Sequence, residues 1–295
     1  MRRARVKSSE AAFYHVLTRV AGAPRYFPLQ RRQACRKLLE MIYRCVEAYC
    51  CRLVAYQIMG NHYHLILYFD SYRRLSGAEL RRRARCLYGE KAASKTQNWS
   101  PHDWEQFNRR LFDLSSLMQR LNGPYAQWFN RRFSRRGHFW ADRYKNPQLL
   151  DLKALQECLF YVELNALRAG LVRRPEQWKA GSARLRRRGR DQQLMPLQEI
   201  FPDLHPSLIP SFYRSQLYQR AALGPRPLPS QKPTPTYLRR QRFFTDGLAI
   251  GQQESVRLRL DQWRRHGAYQ RRKNPIPQLS GFLFTLREQR SHALS

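Results

Sequence analysis

Two histidines one residue apart, His62 and His64, stand inside Met59-Gly60-Asn61-His62-Tyr63-His64-Leu65-Ile66-Leu67, a run otherwise suited to a β-strand. Side chains alternate across a strand, so both imidazoles project from one face while Tyr63 projects from the other. Neutral imidazole is a common ligand of divalent metals, and a rigid strand carrying two of them supplies half of a metal site. As a bare pair they fit a solvated sheet face equally well. Further along, Tyr161 and Asn165 stand four apart, which on a helix puts them on one face, one turn above the other. A phenol and an amide oxygen stacked in this way can act together at a metal. The same spacing also describes a buried tyrosine that hydrogen-bonds a neighbouring helix.

The elements that must position these residues are legible in outline. Strands are expected near 13–19, 52–58 and 62–69, and helices near 29–50, 104–130 and 151–168. The last helix has apolar residues at Leu152, Leu155, Leu159, Val162 and Leu167 and closes at Gly170, a suitable C-cap. Ser71–Ser100 is basic and polar and is expected to be an insertion with one short helix. From Ser182 the composition shifts. Arg184 to Arg190 is rich in arginine, and Leu223 to Thr236 is rich in proline, as a linker would be. Beyond it, Tyr237 opens a small module whose end is again basic, through Arg271-Arg272-Lys273. The expected division is 1–180 catalytic, 181–236 linker and 237–295 accessory, the last with a role in DNA binding or in chain packing.

Lys and Arg number 55 against 21 Asp and Glu, a formal charge of +34. That excess points to a polyanion as partner. Arginine dominates and is interleaved with aromatics, as in Trp128-Phe129-Asn130-Arg131-Arg132-Phe133. Cations that track a backbone and rings that stack on unpaired bases are what single-stranded nucleic acid requires. No basic amphipathic anchor, signal peptide or membrane-spanning apolar run is evident, so a cytoplasmic, nucleoid-associated location is expected. The six cysteines show no C-x-x-C spacing, and the adjacent Cys50 and Cys51 are expected to be buried thiols.

The order of these pieces carries a resemblance. Phe13-Tyr14-His15-Val16-Leu17-Thr18-Arg19 comes first, then Asn61-His62-Tyr63-His64-Leu65 and Tyr125-Ala126-Gln127-Trp128-Phe129-Asn130. Gly137-His138-Phe139-Trp140-Ala141-Asp142-Arg143-Tyr144-Lys145 follows, then Tyr161-Val162-Glu163-Leu164-Asn165-Ala166-Leu167-Arg168-Ala169-Gly170, trailed by Trp178 and Ser182. Over roughly the first three-fifths of its length the chain resembles the REP-associated tyrosine transposases, which are single-tyrosine HUH nucleases. It departs from them at Gly60 and Ala166, where the family usually has Pro, and at Tyr63, where it usually has an aliphatic residue.

The resemblance implies an α+β fold, a ferredoxin-like antiparallel sheet with helices packed on one face. It implies that His62, His64 and Asn165 hold Mg²⁺ or Mn²⁺, and that Tyr161 attacks a DNA phosphate to give a 5′-phosphotyrosine and a free 3′-hydroxyl. Two imidazoles favour Mn²⁺ over the harder Mg²⁺. A second 3′-hydroxyl can reverse the step, giving strand transfer. The implied substrate is single-stranded DNA beside imperfect palindromic hairpins, with the enzyme a monomer or homodimer. Arg19, Arg143 and Lys145 are candidate phosphate contacts, although any one arginine in so basic a chain also fits a solvated face. Tyr144 is the rival nucleophile, read as structural or as a phosphate contact because no amide follows one turn on. His15 is expected to be a packed histidine and Glu163 an exposed helix residue. Two other readings stand beside this one. They are a relaxase-like or initiator-like nicking enzyme with the same constellation, and a DNA-binding protein that has lost the chemistry.

Overall fold

The computed structural model describes residues 10–23, 25–222, 243–245, 247–266, 276 and 278–286. The proline-rich Leu223–Thr236 stretch, Tyr237–Arg242 and the basic Arg271-Arg272-Lys273 lie outside the described residues. Three eight-residue strands, β1 (Ala12–Arg19), β2 (Cys51–Ile58) and β3 (His62–Phe69), form the centre of the sheet. β1 and β2 both pair antiparallel with β3, with Arg19 opposite His62 and Gln57 opposite His64. These strands fall close to the expected 13–19, 52–58 and 62–69.

Nearly every residue of β3 is buried, so both faces of the sheet must be covered. Tyr63, Leu65, Leu67 and Phe69 face one core, filled by α1 (Arg32–Ala48) and α5 (Leu114–Arg132). Val54, Ala55 and Ile66 face a second core, filled by α6 (Leu152–Glu163). The α+β class and the mainly antiparallel sheet agree with expectation. The helices, however, cover both faces instead of one, because Ile66 and its neighbours need an apolar cover of their own. The phenol of Tyr63, on the α5 side, donates to Asn122 Oδ1 at 2.6 Å, which satisfies the one polar atom that distinguishes it from an aliphatic residue.

The sheet continues beyond β1. Its order is β2-β3-β1-β4-β5-β7-β6, with β4 (Gln148–Leu149), β5 (Ala249–Gly251), β6 (Gln278–Ser280) and β7 (Leu283–Leu286). β4 and β5 run parallel, which joins the described C-terminal strands to the same sheet as the histidines.

Three helical expectations are corrected. The 71–100 region holds two helices, α2 (Gly77–Tyr88) and α3 (Ala92–Thr96), where one was expected. Ser76 and Glu79 form a capping box at the start of α2, and Leu80, Ala84 and Leu87 make its buried stripe. The 104–130 helix is two helices, α4 (Pro101–Leu111) and α5, separated where Asp113 caps α5 by accepting from the Ser115 amide at 3.0 Å. The 151–168 helix is interrupted at Leu164 and resumes as α7 (Asn165–Arg168). Gly170, at φ +69°, then closes it with the paired bonds Gly170 N–H to Leu167 O (2.9 Å) and Leu171 N–H to Ala166 O (3.0 Å).

Candidate active site

β3 carries His62 and His64 on the face that α6 covers, with ring centroids 5.1 Å apart and planes at 82°. α6 brings Tyr161 to them, its ring 5.9 Å from that of His64 and edge-on to it. Asn165, buried one turn on, uses its amide nitrogen to donate to Tyr161 O (3.0 Å) and Val162 O (3.4 Å). Carbonyl oxygens only accept, so these bonds fix the nitrogen against the helix and leave Oδ1 on the other side of the amide. The structure therefore brings His62, His64 and the Tyr161 ring together, with Asn165 one helical turn beyond Tyr161.

The electrostatics favour neutral imidazoles. Burial lowers the pKa of His62 to about 4, helped by the Arg19 and Arg168 guanidinium groups. His64 is pushed well below the ordinary histidine value, first by burial and then by His62, His15 and Arg168. The His62 Nδ1–H donates to Asn61 Oδ1 at 2.8 Å, which directs its Nε2 lone pair elsewhere. His64 Nε2 is buried and has no hydrogen-bond partner among the described residues. Two imidazole nitrogens suit a borderline divalent ion such as Mn²⁺ better than the harder Mg²⁺. Among the described residues no group of three or more His, Cys, Asp or Glu side chains is arranged to hold a metal.

His15, opposite Ile66 on β1, is fully buried as a packed histidine should be. Its Nδ1 lies 2.8 Å from Phe244 O and its Nε2 2.9 Å from His64 Nδ1. Burial brings its pKa down to about 4 against the opposing pull of the Phe244 carbonyl.

Glu163 corrects another expectation. It is fully buried where an exposed helix glutamate was expected, and it accepts from Ser182 Oγ at 2.7 Å and from Tyr213 OH. Arg186, from α8 (Ser182–Arg187), ion-pairs with it at 3.5 Å. Burial nevertheless raises the Glu163 pKa. The remaining predicted residues are spread along the strand edge. Arg19 is exposed at the end of β1, opposite His62, and Arg143 is exposed in the loop between α5 and β4. Lys145 is backbone-paired with Leu17, itself the partner of His64, which puts the lysine in the same cross-strand row as that histidine. The Tyr144 hydroxyl donates to Ser115 Oγ at 3.1 Å, in keeping with a structural role.

Two neighbours of Tyr161 were missed from the sequence. The Arg168 guanidinium sits 4.5 Å over its ring, and the Phe244 ring is 5.0 Å away. Spacing signals the first, because Arg168 is seven residues beyond Tyr161 and three beyond Asn165 and so lies on the same helix face. Nothing in the sequence marks the second.

No protein-family model matches the chain, and no curated protein matches it either. Among solved structures, the chain is similar to a REP-associated tyrosine transposase bound to a REP hairpin. The two share 14% identity over 66% of this chain and 87% of that one, with a TM-score of 0.41. A likeness this loose assigns no role to any residue.

Proposed function

We propose that the protein is a metal-dependent single-stranded DNA endonuclease and strand transferase that forms a 5′-phosphotyrosine, acting beside hairpin-forming palindromes. The observation that carries this reading is the clustering of the His62, His64 and Tyr161 rings, with Asn165 one helical turn beyond, at the end of a basic strand edge. His62, His64 and Asn165 would hold Mn²⁺ or Mg²⁺, and a bound ion supplies Lewis-acid polarisation of a phosphodiester. Tyr161 attacks the phosphorus. The Tyr–O–P bond forms as the P–O3′ bond breaks, and the phenol proton ends on the departing 3′ oxygen. The Arg168 cation over the ring stabilises negative charge developing on the phenol. Arg19, Arg143 and Lys145 hold the flanking phosphates.

Tyr161 has no exposed surface. A DNA strand therefore reaches it only when the groups that cover it, Phe244 among them, move aside. The same burial favours a second reading, a hairpin-binding protein that does not cleave. End-labelling separates the two. With Mn²⁺ and hairpin-bearing single-stranded DNA, the nuclease reading predicts that a 3′ label stays with the protein on a denaturing gel and a 5′ label is released on the cut fragment. Retention of both labels only under native conditions would leave binding alone.

A further inference from the structure

The proposed metal site has a second layer that reaches into the C-terminal part of the chain. His15 Nδ1 is 2.8 Å from the backbone oxygen of Phe244, and a carbonyl oxygen can only accept, so that nitrogen carries a proton. His15 is buried beside a second imidazole, where a charged ring lacks compensation, so it is neutral and its Nε2 holds a lone pair. That lone pair faces His64 Nδ1 at 2.9 Å and requires the proton of this bond to come from His64. His64 is then protonated on Nδ1, and its buried Nε2, which has no partner among the described residues, is left as a bare acceptor. A buried, unpartnered imidazole nitrogen is costly unless something is to bind there.

We propose that the Phe244 carbonyl and His15 form a hydrogen-bond relay that fixes the His64 tautomer with its lone pair on Nε2, which makes His15 a positioning residue for metal binding. This rests on the reading of His64 as a ligand. The supporting partner of a ligating histidine is commonly a carboxylate, a backbone carbonyl or water. Here a second histidine conveys the carbonyl's demand to the ligand. Phe244 lies just before β5, so the segment that completes the sheet also sets the donor atom of the site. The parallel orientation of the His15 and His64 rings, 5° apart, holds the bond in line.

The test uses the full chain, with two readouts. Nitrogen-15 NMR of the histidine rings in metal-free protein reports the His64 tautomer, and Mn²⁺ titration followed by electron paramagnetic resonance reports affinity. Wild type should show His64 protonated on Nδ1. His15→Phe, which removes the acceptor, should weaken Mn²⁺ binding about 10- to 100-fold. His15→Gln, whose side-chain oxygen can accept in place of Nε2, should recover most of the loss. A wild-type His64 protonated on Nε2 would overturn the relay, whatever the variants do. Wild-type affinity in a folded His15→Phe would overturn it as well. Should the wild type bind Mn²⁺ no better than His64→Ala, the metal reading fails, while the NMR result still decides the relay.

Discussion

At the scale of single residues, buried imidazoles dominate. His15 and His62 are each held to about 4, and His64 lies below its ordinary value. In the unfolded chain they titrate near 6.5. The unfolded state therefore binds protons first as pH falls. Stability is complete above about pH 6.5 and is lost progressively as pH falls toward about 4. The scale is on the order of 3 kcal/mol for each of His15 and His62. Glu163 works in the opposite sense, because its raised carboxyl gains protons in the folded state first and offsets part of the loss. Thermal melts in chelator should show a midpoint that holds level from pH 8 to about pH 6.5 and then drops steadily toward about pH 4, and a profile flat across that lower window would contradict the assignment. A second prediction concerns the acid itself. Glu163→Ala leaves the buried Arg186 guanidinium without the fully buried one of its two carboxylate partners and should cost about 3 kcal/mol in denaturant melts, with Glu163→Gln losing less. The burial of Glu163 could not be read from the sequence, because its partners Ser182, Arg186 and Tyr213 come from segments that only the fold brings together.

At the scale of elements, the turn between β2 and β3 explains why residue 60 is glycine. A Cβ on Gly60 would lie 2.7 Å from the Phe27 ring and 3.0 Å from the Phe27 Cβ, and the Gly60 carbonyl accepts from the Leu29 amide at 2.9 Å. The segment before α1 is thus pressed onto the turn that starts the histidine strand. Gly60→Ala should destabilise the protein by about 1–2 kcal/mol and, by shifting the turn, weaken Mn²⁺ binding; an unchanged melting temperature would contradict this packing. The strands around the histidines were legible because each is an apolar run long enough to register as extended chain. Gln148–Leu149 and Ala249–Gly251 are too short for any period to register, so the continuation of the sheet was not. The helix bearing Tyr161 and Asn165 was legible in its spacing and its Gly170 stop, and only the interruption at Leu164 escaped notice.

At the scale of the whole molecule, charge and burial act against each other. A formal charge of +34 would attract the nucleic-acid backbone of the proposed substrate, while the fold keeps Tyr161 buried. Affinity for single-stranded DNA should fall about 10²- to 10³-fold between 50 and 200 mM salt, as release of counterions from several phosphates requires; a shallow slope would mean that few of the cations touch DNA. Among the described residues no helix is long and apolar enough to cross a membrane. The measurement that bears most directly on the central claim is covalent capture. Labelled hairpin-bearing single-stranded DNA is incubated with Mn²⁺ and resolved on a denaturing gel for the wild type, Tyr161→Phe and Tyr144→Phe. The account predicts an adduct in the wild type and in Tyr144→Phe and none in Tyr161→Phe. An adduct that survives Tyr161→Phe would contradict it.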